Sequence, residues 1–180
     1  VLVINNSKVI PARLLGHKER TGGKVEIFLL RQLEDGCSFE ALLRPLKKVR
    51  IGDKIKFAKS SVVAEFVDFP NRIVRFSARG GSAFNGNRKD VLKQLNKIGH
   101  MPLPPYIRRS DEKIDRTMYQ TVYARPAGSV AAPTAGLHFT RPLLNNIKKI
   151  GHTIASVTLH INYGTFKPVE TDDITQHPMH

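Results

Sequence analysis

The sequence predicts a mixed α/β main domain with a small antiparallel β-barrel domain inserted into it. Three patterns predict this fold: an apolar strand at the start, closely spaced strands between residues 15 and 79, and helices and a further strand after them. Short strands that recur with turn residues between them are typical of small barrels or sandwiches. We therefore expect residues 1–14 and 80–180 to form the main domain, incomplete at both ends, and residues 15–79 to form the barrel.

The strands of the predicted barrel are marked by apolar side chains at alternate positions. Val25, Ile27 and Leu29 lie on one face of a strand, and Ile55 and Phe57 lie on one face of another. This spacing of two residues is the repeat of an extended chain. The breaks between strands fall at turn-forming residues, which are Thr21-Gly22-Gly23, Asp35-Gly36, Gly52-Asp53 and Pro70-Asn71.

Two amphipathic helices follow a Gly, Ser and Asn-rich linker. The first is predicted after Asn87 and ends at Gly99, with Val91, Leu92, Leu95 and Ile98 on its apolar face. The second begins at the capping residue Thr140 and ends at Gly151, with Leu143, Leu144, Ile147 and Ile150 on its apolar face. Repeats of three and four residues bounded by Asn or Thr and by Gly are typical of helices. A strand is predicted next, over about 153–161.

The charge of the chain favours a polyanionic partner. Lysine and arginine number 29 against 15 acidic residues, which gives a net charge of +14. Such an excess indicates nucleic acid first and an anionic membrane surface second. No apolar run reaches the length of a membrane span. The single cysteine, Cys37, excludes an internal disulfide framework and favours the reducing cytoplasm.

Basic residues in two places are candidates for nucleic-acid binding. Lys47, Lys48 and Arg50 lie in the predicted barrel, and Arg108 and Arg109 follow Pro104-Pro105-Tyr106. Small barrels often bind oligonucleotides on one face, where cations contact phosphates and aromatic rings stack on bases. For any single lysine, a solvated surface position is the simpler interpretation.

The segment from Gly128 to Thr140 is the most unusual in the chain. It consists largely of small residues, which let a ligand approach the backbone closely, and it contains the imidazole of His138. It also leads into a helix N-terminus, where free N–H groups can receive an anion. A close-packed turn explains the same residues equally well.

His138 and His160 are the better candidates among the histidines for acid–base chemistry, because each adjoins a segment of small and polar residues. No phosphate-binding glycine loop, dinucleotide fingerprint or nucleophile elbow is present. His177 and His180 together with His160 imitate a metal site, but Pro178 breaks the helix on which such spacing works. We therefore expect no metal.

Short motifs along the whole chain resemble the S-adenosylmethionine:tRNA ribosyltransferase-isomerase family. Ser7 and Lys8 depart from the residues usual at their positions. Each motif is weak alone, but their shared order is specific. The motifs are Asn6 to Arg13, Thr21 to Glu26, Pro102 to Ile107, Tyr119 to Ala124, Gly128 to Thr140, Val157 to His160, Gly164 to Val169 and His177 to His180.

The resemblance implies a tRNA-modifying enzyme. S-adenosylmethionine would be the only co-substrate and would donate its ribosyl unit to 7-aminomethyl-7-deazaguanine in tRNA. The products would be epoxyqueuosine, adenine and methionine. It implies no metal and no membrane partner, and we favour a monomer.

The resemblance also implies which residues form the site. His138 and His160 would be the catalytic acid and base, since imidazole titrates near neutral pH. An aromatic ring such as Phe139, Tyr163 or Phe166 would face the sulfonium. The substrate-binding residues would be Asn6, Arg13, Ser129, Pro133, Thr134, Ala135, Gly136, Leu137, Phe139, Gly164, Thr165 and Phe166.

A second function remains open from the residues. Charge and the β block alone would support an RNA-binding barrel module without catalysis. The small-residue segment with His138 favours the enzyme, because a pure binding module does not need it.

Overall fold

The computed structural model describes residues 1–78, 84, 88–103, 107–162 and 171–176. Its strands and helices, in chain order, are β1 (Leu2–Asn5), β2 (Lys8–Val9), β3 (Arg13–Lys18), β4 (Lys24–Gln32), β5 (Ser38–Arg44), β6 (Lys54–Lys56), β7 (Val62–Asp68), β8 (Ile73–Ala78), α1 (Arg88–Ile98), β9 (Gly99–His100), α2 (Asp115–Met118), β10 (Ala127–Ser129), α3 (Arg141–Lys149) and β11 (Ile154–Val157). Short 3-10 turns lie at Leu46–Lys48, Thr134–His138 and Ile174–Gln176.

Strands β3 to β8 form a closed antiparallel barrel, as the alternation of the sequence predicts. Their order is β4, β5, β8, β7, β6 and β3, and β3 pairs again with β4 to close the sheet. At one end of β3, Leu14 pairs with Ile27 of β4, and at the other end Lys18 pairs with Ile55 of β6. Strand β9 also pairs with β3 and extends the sheet beside the barrel.

Gly16 permits the close contact between β3 and β6. A Cβ atom at this position would lie 2.5 Å from Cγ2 of Ile55 and 2.8 Å from the carbonyl oxygen of Lys56. Both distances are shorter than any carbon atom tolerates, so a larger residue would push the two strands apart. The barrel closes at this point because the residue has no side chain.

The barrel core contains the side chains that alternate inward from each strand. Val25, Ile27 and Leu29 are buried, as their spacing predicts. The rings of Phe39 and Phe76 pack edge to face, with their centroids 5.5 Å apart. Burial of large apolar side chains is the main stabilising term for a barrel of this size.

Helix α1 packs its predicted face against the buried core of the barrel. Val91 and Leu95 are buried in the same apolar cluster as the barrel core, which confirms the helical periodicity. The helix ends before Gly99, as predicted, where a Cβ atom would lie 2.1 Å from the carbonyl oxygen of Pro11. The predicted capping residue Asn87 lies outside the described residues.

Chain segments from the two sides of the barrel pair with each other. Strand β1 runs parallel to β11, with Ile4 opposite Ser156. Strand β2 runs parallel to β10, with Val9 opposite Ser129. These two parallel pairs bring residues that precede the barrel together with residues that follow it.

Helix α3 begins as the sequence predicts, but its apolar face is not buried. The hydroxyl of Thr140 accepts a hydrogen bond from the Leu143 amide at 3.2 Å, which confirms the cap. Leu143 remains 44% exposed and Ile150 71% exposed. Val3 of β1 is also largely exposed. The barrel is therefore packed throughout, whereas this part of the chain presents apolar surface.

Insertion of the barrel as a separate domain stays a prediction. The buried cluster of the barrel continues into Ile10, Ala12 and Val130, which belong to the flanking segments. Strand β3 also begins at Arg13, two residues before the expected boundary. Within the described ranges, no helix has both the length and the apolar composition needed to cross a membrane.

Candidate active site

A side-chain amide joins the end of β1 to the chain that follows β11. The Nδ2 of Asn5 donates to the carbonyl of Leu159 at 2.8 Å, and its Oδ1 accepts from the Leu159 amide at 3.1 Å. These two bonds replace a pair of backbone ladder bonds. They also explain why β11 ends at Val157, although the alternation predicts a strand to about residue 161.

Asn6 lies at the same junction. Its Oδ1 accepts from the hydroxyl of Thr158 at 2.7 Å. Its amide donates to the carbonyl of Val157 at 2.9 Å, and its carbonyl accepts from the amide of Arg125 at 2.9 Å. Asn6 therefore ties together three segments that are far apart in sequence.

Ser129, at the end of β10, is a buried hydrogen-bonding centre. Its hydroxyl donates to the carbonyl of Ala131 at 2.8 Å and accepts from the amide of Ile161 at 2.9 Å. The amide of Val130 donates to the carbonyl of Ile161 at 2.8 Å. The small-residue segment is thus fixed against the residue that follows His160.

The imidazole of His160 lies directly against the backbone of Gly128. A Cβ atom at Gly128 would lie 2.9 Å from both Cε1 and Nε2 of that ring. Gly128 also has a φ of +154°, which side chains rarely adopt. A glycine is therefore required here for two reasons, and His160 stays exposed to solvent although its ring lies against this backbone.

The segment from Pro133 to Phe139 forms a tight turn before α3. Its 3-10 turn exposes Thr134, Ala135 and His138, whereas Gly136 is buried. A Cβ atom at Gly136 would lie 2.2 Å from the hydroxyl oxygen of Tyr123. Burial raises the pKa of the Tyr123 hydroxyl.

A family model described as queuosine biosynthesis protein matches residues 1–180, the whole of the chain. The chain belongs to the queuosine biosynthesis protein family. The resemblance drawn from the ordered sequence motifs is therefore confirmed at the level of the family.

Curated relatives of this queuosine biosynthesis chain carry the name S-adenosylmethionine:tRNA ribosyltransferase-isomerase. The relative from Sulfurihydrogenibium sp. (strain YO3AOP1) is 49% identical over 99% of this chain and 50% of its own length. The relative from Staphylococcus aureus (strain JH9) is 46% identical over 99% of this chain and 50% of its own length. The chain therefore spans about half the length of the curated relatives it matches.

A solved structure also aligns with the chain. It is described as an S-adenosylmethionine tRNA ribosyltransferase from Thermotoga maritima, and it is 27% identical. The alignment covers 89% of this chain and 40% of that one, with a TM-score of 0.36. This score is too low to support a shared arrangement of the parts.

The structure brings some of the predicted site residues of this queuosine biosynthesis chain together. Asn6 bonds to Thr158, Ser129 bonds to Ile161 and His160 lies against Gly128, so these contacts all fall on the short stretch that follows β11. Pro133 to Phe139 follow β10 along the chain after three residues. Arg13 instead lies on the barrel wall, where its Nη2 donates to Glu26 at 3.0 Å. The roles of all these residues stay predictions. Gly164, Thr165 and Phe166 lie outside the described residues, as do Tyr106 and Tyr163.

Several polar residues near this site are not indicated by the sequence pattern. The side-chain amide of Gln120 donates to the carbonyl of Val9 and accepts from its amide, both at 2.9 Å. The hydroxyls of Ser7 and Thr121 are buried without a hydrogen-bond partner among the described residues. Buried polar groups of this kind are unusual in native proteins and occur at functional sites. In the sequence, Ser7, Gln120 and Thr121 are marked only by their place in the motifs Asn6 to Arg13 and Tyr119 to Ala124.

The basic residues predicted to bind nucleic acid differ in their surroundings. Lys47, Lys48 and Arg50 are exposed at one end of the barrel, and Arg108 is also exposed. Arg109 instead donates from Nη1 and Nη2 to the buried carboxylate of Asp115, at 2.7 and 2.8 Å. Two nitrogens of the Arg109 guanidinium are thus bonded within the protein. A phosphate would have to compete with the carboxylate of Asp115 for this guanidinium.

No cluster of His, Cys, Asp or Glu that could hold a metal ion occurs in the part of the chain that the structure describes. His160 belongs to that part, whereas His177 and His180 do not.

Proposed function

We propose that the full-length protein carrying this chain is a tRNA ribosyltransferase-isomerase. It transfers the ribosyl unit of S-adenosylmethionine to the aminomethyl group of 7-aminomethyl-7-deazaguanine in tRNA. The unit then isomerises to an epoxycyclopentanediol, which gives epoxyqueuosine and releases adenine and methionine. Family membership over residues 1–180 and the names of the relatives support this proposal.

The observation that carries the proposal is the imidazole of His160 against Gly128, in the segment that leads along the chain into the turn with His138. The reaction needs a base for a C5′ proton, which the adjacent sulfonium makes acidic. It also needs an acid for the adenine nitrogen that leaves C1′. The two imidazoles suit these steps because their pKa lies near the working pH.

The electron balance of the reaction sets these requirements. The bond between C5′ and sulfur breaks with its electron pair on sulfur, so methionine leaves as a neutral thioether. The bond between C1′ and adenine breaks with its pair on nitrogen, which takes up a proton. The aminomethyl nitrogen forms the new bond to a ribosyl carbon with its lone pair and loses a proton. The small-residue turn from Pro133 to Phe139 lets the donor approach the backbone, and Phe139 can face the sulfonium.

Adenine release tests the proposal. The full-length protein is incubated with S-adenosylmethionine and tRNA that carries 7-aminomethyl-7-deazaguanine, and free adenine and methionine are measured by chromatography. Both products should appear in equal amounts, and only with the modified tRNA. Absence of adenine with a correctly folded protein would overturn the proposed activity.

A non-catalytic RNA-binding module is the second candidate. The net charge of +14 and the closed barrel favour it. It predicts salt-sensitive binding of tRNA without any release of adenine. The same incubation therefore separates the two functions.

We also propose that the protein acts in the cytoplasm as a monomer and without a metal or further cofactor. The proposed tRNA substrate is cytoplasmic, and the family resemblance implies no metal. Size-exclusion chromatography with light scattering tests the monomer. Full activity after exhaustive treatment with a chelator would support the metal-free reaction, and loss of activity restored by a divalent cation would contradict it.

A further inference from the structure

A cleft at one end of the barrel has properties of an anion-binding site. It has a volume of about 340 Å³ and is lined by Glu19, Arg20, Arg50, Ile51, Asp53 and Lys54, together with a glycine. Glu19 and Arg20 follow β3, and the other residues lead into β6. The amide of Glu19 donates to the carbonyl of Lys54 at 2.7 Å, which joins the two sides of the cleft.

The two acids of the cleft are already paired with lysines. Oδ2 of Asp53 lies 2.6 Å from Nζ of Lys18 and also accepts from the amide of Arg50 at 2.8 Å. The hydrogen bond from Lys18 holds the pKa of Asp53 below its usual range, so this carboxylate stays charged and bound. Oε1 of Glu19 lies 2.6 Å from Nζ of Lys56.

The cations of the cleft remain available. Arg20, Arg50 and Lys54 are exposed, and Arg20 also acts electrostatically on Asp53. Because both acids are neutralised by other lysines, these three groups give the cleft an excess of positive charge. The 3-10 turn with Lys47 and Lys48 adjoins it, since Lys18 also bonds to the carbonyl of Lys48. A row of cations in a cleft suits a polymer of phosphates better than a single small anion.

An apolar group stands among these cations. Ile51 is 62% exposed, and the turn that carries it is fixed by backbone bonds. The amide of Gly52 donates to the carbonyl of Phe66 at 2.8 Å, and the amide of Asp53 donates to the carbonyl of Arg50 at 3.0 Å. A rigid apolar side chain between cations can pack on a ribose or base while the cations contact the neighbouring phosphates.

We propose that this cleft binds the sugar-phosphate backbone of the tRNA substrate. Arg20, Arg50 and Lys54 contact phosphates, and Ile51 packs against a sugar or base. The proposal rests on the proposed function for the choice of RNA, because an RNA substrate is what the family reaction requires. It adds a barrel site, distant in sequence from His138 and His160, that contributes affinity and takes no part in the chemistry.

The test compares single charge removals in the full-length protein. Arg20→Gln, Arg50→Gln and Lys54→Gln are titrated against a fluorescent tRNA transcript from dilute to physiological KCl. Each variant should weaken binding about fivefold and lower the salt slope by about one unit, as loss of one phosphate contact requires. Lys93→Gln is the matched control, because it removes the same charge from α1, which does not line the cleft. Its affinity should stay within about twofold of wild type.

Folding and apolar contact are checked in the same series. The substituted side chains are exposed, so the thermal midpoints of all variants should equal that of wild type. Ile51→Ala should weaken binding without any change of the salt slope, because it removes an apolar contact and no charge. Wild-type affinity and slope in all three cation variants would overturn the cleft as an RNA site.

Catalytic assays separate failure of the cleft from failure of the proposed activity. If both proposals hold, cleft variants raise the KM for tRNA and leave kcat and the KM for S-adenosylmethionine unchanged. If wild type releases no adenine but the cleft variants still lose RNA affinity, the activity fails and the cleft stands. Vesicles of phosphatidylserine and phosphatidylcholine form a further arm. Loss of vesicle binding with unchanged tRNA binding would assign the cleft to lipid headgroups and overturn the RNA proposal.

Discussion

The barrel and the region of the two parallel strand pairs are held together in different ways. In the barrel, continuous backbone ladders enclose a core in which Phe39, Phe66 and Phe76 are almost fully buried. In the strand-pair region, defined as β1, β2, β10, residues 154–161 and the turn Thr134–His138, each sheet has only two strands. There, side chains make the connections, with Asn5 and Leu159 separated by 154 residues and Gln120 and Val9 by 111.

This difference predicts that stability depends mainly on the barrel and that the proposed catalysis depends on the strand-pair region. A closed barrel has no unpaired edge and buries its own core, so it supplies most of the apolar stabilisation. The candidate active site depends on a few hydrogen bonds that bring distant segments together. Substitutions in the barrel core should therefore change stability, and substitutions in the strand-pair region should change turnover or local order.

The largest effect is expected at the two histidines of the strand-pair region. His160→Gln and His138→Gln in the full-length protein should each lower kcat on the order of 10² to 10⁴, since glutamine can hydrogen-bond but cannot transfer a proton near neutral pH. Adenine release measured against pH gives the readout, and the thermal midpoint should not move. His17→Gln, exposed on barrel strand β3, is the matched control. Near wild-type turnover with an unchanged pH profile would leave either histidine only a positioning role.

The second effect contrasts a buried and an exposed apolar side chain. Phe66 of the barrel is fully buried, so Phe66→Ala should lower the free energy of unfolding by about 3–5 kcal/mol through lost contacts and the cavity left behind. Leu159 of the strand-pair region is 65% exposed, and Leu159→Ala should cost less than about 0.5 kcal/mol. Urea unfolding followed by circular dichroism measures both. Equal costs would mean that the two regions are packed alike in solution.

The barrel could be predicted from the sequence because the pattern that marks each strand lies within that strand. Alternation of apolar residues every two positions gives both the strands and their inward face, as at Val25, Ile27 and Leu29. The cap at Thr140 is also a local signal. The need for a glycine at position 16 is not a local signal. The clash that a larger residue would make with Ile55 arises between strands that are far apart in sequence.

The candidate site could be predicted only in part. The small-residue segment and His160 are visible as unusual residues, but no local pattern places the ring of His160 against Gly128, 32 residues earlier. The same holds for Gln120, whose partner Val9 belongs to another segment. Periodicity describes one segment at a time, whereas this site is made by side-chain bonds between segments. Only the ordered motifs of the family indicate that these segments act together.

A smaller effect is expected at Gln120, which joins the motif Tyr119 to Ala124 to β2. Gln120→Ala leaves the buried amide and carbonyl of Val9 without their partner, which should cost about 1–3 kcal/mol. Hydrogen exchange at the Val9 amide should accelerate, while amides of the barrel strands keep their protection. Gln120→Glu can accept from the Val9 amide but cannot donate to its carbonyl, so it should lose only part of this protection. Unchanged exchange at Val9 in Gln120→Ala would show that the bond adds nothing to local order.

The smallest effect concerns acid stability at Asp115, the first residue of α2. The hydrogen bonds from Arg109, and after them the bond from the amide of Glu112, lower the pKa of Asp115 to about 2. The folded-state pKa lies below the ordinary value of 3.8, so the ionised carboxylate favours the folded state. Its contribution is complete above about pH 4 and is lost as the pH falls towards 2.

In Asp115→Asn this contribution is absent at every pH. The difference in free energy of unfolding between wild type and Asp115→Asn should therefore be constant above pH 4 and shrink below it, as urea titrations at a series of pH values would measure. Arg109→Gln removes the partner of Asp115 and keeps the acid. It should therefore reduce the pH-dependent contribution of Asp115 to the free energy of unfolding. The difference in free energy of unfolding between wild type and Asp115→Asn could instead stay constant down to pH 2. That result would mean that the pair does not stabilise the ionised carboxylate in the folded protein.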